Sequence, residues 1–268
     1  MTYASYLRVG ELLELQSPRT AGESELAEHD ELLFITIHQV YELWFKQVLH
    51  ELRGDQRDPG RGGVQAALES GDAFGALAVL GRVLTILKTL VAQVDVLETM
   101  TPLQFGSFRS RLDSASGFQS AQFRELEAVL GRRDAAALGS TVEGDAAWER
   151  VRAAMLRPSL WDSYLIFLAR HGHEIAAGLG AAGDDDGAAR TRELVVEVYR
   201  RGGAAALVSE RLVDLDEGMQ EWRYRHVKMV ERTIGAKTGT GGSSGAAYLA
   251  GTLFRPSFPA LWEARAHF

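Results

Sequence analysis

The chain has no cysteine among its 268 residues. That removes disulfides, thiolate nucleophiles, zinc–cysteine sites and thiolate-ligated haem together. Positive charge is also scarce: 29 lysines and arginines against 36 aspartates and glutamates leave a net charge of −7. Phosphate backbones are held by lysine and arginine, so no nucleic-acid partner is expected. The opening MTYASYLRVGELLELQ lacks a basic stretch followed by an uninterrupted apolar run, and no segment reads as the roughly 18 apolar residues of a membrane span. These absences predict a soluble, cytoplasmic protein with no membrane partner.

Alternating strand patterns and internal repeats are missing as well. No Pro/Gly/Ser linker divides the chain, so residues 1–268 read as one domain. What is present is ordinary globular material, 46% hydrophobic and 24% charged, sufficient for a core. Apolar residues recur at spacings of three and four, which predicts an all-α fold. The expected helices cover 3–15, 25–52, 73–97, 120–130, 146–155, 159–170, 188–199 and 209–234, with a short one near 259–264. Breaks are expected at Ser17-Pro18, 54–63, 178–187 and 235–245, of which 54–63 and 178–187 read as plain solvated loops. The helices from 25, 73 and 209 are long enough to form a bundle, and bundle cores hold cofactors between facing side chains.

Two of those helices carry a histidine where an aliphatic residue is expected. One seam runs Leu212, Leu215, Met219, Trp222, His226, Met229, Thr233; the other runs Phe34, His38, Tyr41, Phe45, Leu49, Leu52. A buried imidazole needs a partner, because an unsatisfied polar group costs about 1–3 kcal/mol. A lone histidine on an apolar face is ordinarily a core residue bonded to a carbonyl. Two of them, each in a long helix dense with aromatics, point instead to a large apolar prosthetic group, and a haem with one axial histidine and an open distal side suits the pattern. A non-haem metal competes: His38 and Glu42 are four apart, but the Glu-x-x-His pairs of a di-iron bundle are absent. The pair His171 and His173 stands where a helix is ending and reads as surface, or at most a weak metal site.

Two further segments carry polar chemistry. GTGGSSG, 239–245, lacks the Gly-Lys-Ser/Thr ending of a phosphate loop and follows no strand. It reads as a loop whose amides and hydroxyls close over a small polar ligand, with Thr240 the first hydroxyl inside it. FGSFRSRLDSASGFQSAQFR, 105–124, sets Arg109, Arg111 and Arg124 among phenylalanines in a segment read as irregular. An arginine held by aromatics can clamp a carboxylate in a bidentate pair.

Together, Tyr3-x-x-Tyr6-Leu7, HDELLFITIHQVYELWFKQ from His29, FRSRLDSASGFQSAQFR from Phe108, RPSLWD from Arg157, WRYRH from Trp222, and GTGGSSG with Tyr248-Leu249 beyond it closely resemble the tryptophan 2,3-dioxygenase family over nearly the whole chain. The resemblance implies an all-helical bundle enclosing a b-type haem, ferrous when active, and a homotetramer. It implies cleavage of the indole C2–C3 bond of L-tryptophan by O2, giving N-formylkynurenine. His226 then corresponds to the axial ligand, with Ser116 near the haem edge, and His38 to the distal group that meets the indole N–H. Phe34, Ile35, Thr36, Ile37 and Phe105 would bound the substrate. Arg109 would clamp its carboxylate, and Thr240 would meet its ammonium and carboxylate. Tyr3, Tyr6 and Leu7 would complete a neighbouring subunit's pocket. Two alternatives share these residues: a related haem monooxygenase converting a substituted tryptophan to an oxindole, and a non-catalytic haem or indole sensor.

Overall fold

The structure is a computed structural model that describes residues 1–20, 28–54, 62–113, 115–133, 145–176, 185–239 and 245–268. Among these residues the regular structure is entirely helical. In chain order the helices are α1 (Tyr3–Leu7), α2 (Val9–Leu13), α3 (His29–Arg53), α4 (Gly63–Ser70), α5 (Ala73–Leu97), α6 (Pro102–Arg109), α7 (Ala121–Val129), α8 (Ala146–Leu156), α9 (Leu160–Arg170), α10 (Asp185–Arg201), α11 (Gly203–Ile234), α12 (Ala246–Ala250) and α13 (Pro259–Glu263). Short 3-10 turns occupy Ser110–Leu112, Gly117–Gln119 and Ala264–His267.

Several differences from the sequence reading have local causes. The expected helix over 3–15 is broken at Arg8, whose φ of 54° is left-handed, and neither half buries a residue. Without a buried face, nothing holds a continuous helix there. Helix α4 begins inside the stretch read as a solvated loop, and α10 reaches back to Asp185, into the other. Helix α6 forms where an irregular segment was expected: Thr101 accepts from Gln104 N, Gln104 Oε1 accepts from Thr101 N, and Pro102 fills the first turn.

Helices α3, α5 and α11 form the centre. Helix α5 buries Leu80, Val83, Leu87, Leu90 and Val94. By length and composition alone it is apolar enough to cross a membrane, with mean hydropathy 1.8 over its most apolar window, which corrects the reading that no segment qualifies. In the fold its apolar side serves as the packing surface between α3 and α11. The crossing with α11 is close at Gly218, where an added Cβ would stand 3.2 Å from Leu87 Cδ1. Gln93 Nε2 donates to Ile37 O at 3.2 Å, and Tyr41 Oη donates to Leu90 O at 2.9 Å, so α3 and α5 are bonded as well as packed.

The apolar interior falls into two clusters. The larger includes Phe45, Leu49, Leu87, Phe123, Leu212, Met219 and Trp222; the smaller consists of Ile37, Val94, Leu97, Met100, Phe105, Phe108 and Met229. Tyr41 packs against both. Between them the helices leave a cavity.

The join of α3 to α4 is tight. Gly63 has φ +79°, and a Cβ there would lie 2.4 Å from Gly54 N. Positive φ and a backbone clash act in the same direction, so Gly63→Ala should destabilise the fold by about 2–3 kcal/mol. Thermal unfolding should show the melting temperature falling by roughly 5–10 °C; an unchanged value would mean that the join relaxes freely.

Candidate active site

The cavity is lined from three parts of the chain: Phe34, His38, Tyr41 and Phe45 on α3; residues of α5 to α7 including Phe105, Arg109, Ser116 and Arg124; and α11 onward with Trp222, Arg223, His226, Met229 and Thr252. Both sequence-selected histidines line it. His226 stands on α11 with Trp222 one turn away, their rings nearly parallel at 5° and 5.4 Å between centroids. Among the described residues nothing hydrogen-bonds to its ring. Burial lowers its pKa to about 4, and His38 and Arg223 push the same way, so the ring is neutral with lone-pair character available to the cavity. A neutral imidazole without a protein partner, facing an aromatic cavity, has the donor chemistry that a metal-centred prosthetic group requires.

His38 is held differently. Its Nδ1 lies 2.7 Å from Phe34 O, and since a carbonyl only accepts, Nδ1 carries the proton. The carbonyl-bonded core histidine and the cavity histidine are therefore the same residue. Burial again lowers the pKa, against the opposing influence of the Phe34 carbonyl and Glu42, which keeps the ring neutral and leaves Nε2 an acceptor. Phe34 packs 4.2 Å from the His38 ring and touches Phe105 and Phe108 at 5.7 and 5.6 Å. These rings make one wall suited to a flat aromatic ligand.

Arg109, at the C-terminal end of α6, donates from Nη2 to Thr238 O, while its buried Nε has no partner. Nη2 is thus fixed to the segment after α11 while Nε is left as a donor for a carboxylate. Gly239 and Gly245 both line the cavity. Gly245 has φ +61°, and a Cβ on it would meet Lys237 O at 2.7 Å, so only glycine lets the chain return so close to the residues that brace Arg109. Thr240 lies outside the described residues.

Not every selected residue comes to the cavity. Ser116 does, with its Oγ accepting from Phe118 N at 3.3 Å to cap a turn. Ile35 and Thr36 point elsewhere on α3, Thr36 Oγ1 donating to Leu32 O, and Ile37 is buried in the smaller cluster. Tyr3, Tyr6 and Leu7 are 78%, 70% and 45% exposed on α1 and do not line this chain's cavity. The expectation that His171 and His173 lie at the surface is corrected: His173 is buried and 3.5 Å from Glu197, and His171 Nε2 donates to Gly71 O at 3.1 Å beside Phe167. They join α9 to α10 and α4. Among the described residues no three histidine, aspartate or glutamate side chains gather as a metal-ion group.

A cationic cluster went unread in the sequence. Glu127 is buried and accepts from both Arg124 and Arg223, with Arg132 Nε 3.8 Å away. Arg124 also lies over the Phe118 ring at 4.4 Å. Its members come from α7, the residues just after it and α11, too far apart in sequence for a spacing rule to connect.

Comparison with known proteins shows the family of the chain. The family model for tryptophan 2,3-dioxygenase matches residues 1–151 and 166–268. The chain is 57% identical over 267 residues to a tryptophan 2,3-dioxygenase of Anaeromyxobacter dehalogenans, covering 99% of this chain and 95% of that one. It is 53% identical to the enzyme of that name from Herpetosiphon aurantiacus, with 99% and 98% covered, and 40% identical to that of Caulobacter vibrioides, with 99% and 97% covered.

Proposed function

We infer the chemistry of this cavity from the family to which the chain belongs, the tryptophan 2,3-dioxygenases. The protein is an oxidoreductase of tryptophan catabolism that uses O2 to open the indole C2–C3 bond of L-tryptophan, giving N-formylkynurenine. The relatives' names favour that reaction over the oxindole-forming alternative and over a sensor.

The observation that carries the site assignment is the pair of neutral histidines on one aromatic cavity, one unbonded and one with a fixed tautomer. His226 would hold the iron of a haem b, ferrous in the working state, with Ser116 near the haem edge. When bound, the haem supplies the activation of O2, and the protein's part is orientation. His38 Nε2 accepts the indole N–H, and Phe34 and Phe105 wall the ring. A phenylalanine in this place would leave the buried acceptor unpaired, so the pocket selects an indole by the cost of that loss. Arg109 would take the carboxylate with its unpartnered Nε, and Thr240, by the family resemblance, would meet the ammonium and carboxylate. Exposure of Tyr3, Tyr6 and Leu7 supports their serving a neighbour's pocket in a homotetramer. A cytoplasmic setting suits a chain without thiols.

Protein reconstituted with haem, reduced without oxygen and then given L-tryptophan and O2 should form a product two oxygens heavier with the absorbance of N-formylkynurenine. One added oxygen would overturn the dioxygenase reading in favour of the oxindole route, and haem uptake without turnover would favour the sensor. The same assay has a pH signature. His38 accepts only when neutral, and its pKa lies below 6.5, so kcat/KM should hold as pH falls to that value and drop only further down. A decline centred at or above pH 6.5 would remove His38 as the acceptor.

A further inference from the structure

Glu127 is a buried carboxylate that the reaction as described does not use. It sits at the end of α7, 7% exposed, and its two oxygens are taken by two different helices' arginines: Oε2 by Arg124 of α7 and Oε1 by Arg223 of α11. Both arginines line the cavity. Arg223 lies three residues before His226, on the same side of α11. One negative charge therefore faces three positive ones, counting Arg132, and Asp216, the other carboxylate bearing on Arg132, is taken up by Ser257 N, Phe258 N and Trp262 Nε1.

A charge in this position has a reach beyond its own bonds. Fixed charges close to a buried centre act through a low dielectric, and haem potentials respond to the charge and polarity around the macrocycle. Within the chain the reach is visible: Arg223 already bears on His226, and the arginines hold the Glu127 carboxyl below the usual carboxylate range despite the opposing burial. The three guanidiniums oppose reduction least when they are unneutralised, because positive charge favours the added electron.

Resting on haem ligation by His226, we propose that Glu127 is a positioning residue that sets the reduction potential of the bound haem by neutralising Arg223, which lies one turn from His226. Glu127 is not among the residues that line the cavity. Its influence passes through Arg223 and Arg124, and the ferric–ferrous balance is where it is read.

The test is a redox titration of the haem-loaded protein in three forms, followed by visible absorbance: wild type, Glu127→Gln and Arg223→Gln. Glu127→Gln keeps the shape and one of the two acceptor oxygens and removes the charge, so the ferrous-to-ferric ratio at a fixed poise should rise about tenfold. Arg223→Gln removes the opposite charge and should lower the ratio by a similar factor. Glu127→Asp should stay near wild type. Opposite signs are the signature, because mere loosening of the packing would admit water and move both variants the same way. Shifts of the same sign, or none, would overturn the proposal. If Glu127→Gln does not fold, Arg223→Gln must still lower the ratio for the proposal to stand. Wild-type protein that takes up no haem would overturn the ligation reading and this proposal with it, whereas a normal haem spectrum with unmoved potentials would overturn this proposal alone.

Discussion

Replacing His226 with alanine is expected to leave a folded protein that no longer retains haem. The His226 ring hydrogen-bonds to none of the described residues and stacks parallel on Trp222, so the substitution is expected to cost packing on one side of a cavity rather than the fold. The prosthetic group would lose the ligand assigned to it, and with no cysteine in the chain no thiolate can replace that imidazole. After reconstitution and desalting, the variant's Soret absorbance per chain should fall to the level of nonspecifically bound haem, with the far-ultraviolet circular dichroism of the wild type. Retention of a normal haem spectrum would remove His226 as the ligand.

The second large effect is expected at Arg109. Its Nε is buried without a partner beside an Nη2 already braced on Thr238 O, and charge-assisted bonds from a guanidinium to a carboxylate contribute about 1.5–3 kcal/mol each. Arg109→Ala should therefore weaken L-tryptophan binding about a hundredfold or more while haem uptake is unchanged. Arg109→Lys should recover only part of the loss, because an ammonium keeps the charge without the planar fork. Tryptamine, which lacks the carboxylate, should bind wild type and Arg109→Ala alike. Equal L-tryptophan affinity in wild type and variant would exclude the clamp.

The long helices were legible from spacing because each buries a continuous stripe: α3, α5 and α11 each carry seven or more buried residues of regular period. The two cavity histidines were legible for the same reason, as polar interruptions of an apolar stripe. What spacing could not show was structure held by single local devices. Helix α6 has eight residues and two buried phenylalanines, and its signal was the cap Thr101-Pro102-x-Gln104 rather than a period. Helix α4 depends on the left-handed Gly63, which reads as a breaker until the neighbouring Gly54 is in view. His171 and His173 looked superficial because their partners Gly71, Glu197 and Arg201 come from distant helices. The same holds for Glu127, whose charge is meaningful only beside Arg223.

The three-part lining of the cavity has a consequence for how the protein is made. Its first wall, from Phe34 to Phe45, leaves the ribosome long before the last, which reaches Thr252. At ordinary rates of synthesis the interval is on the order of ten seconds or more, during which the apolar face of α3 has only its early neighbours to cover it. Pairing α3 with α11 closes one of the longest loops in the chain, an arrangement that slows folding. The pocket is therefore complete only after nearly all of the polypeptide is free, and loading of the proposed haem would follow translation. A ligand that binds only the finished fold adds stability by mass action. Cellular levels of this protein are accordingly expected to follow haem supply, with chains made during scarcity cleared faster than those that are filled.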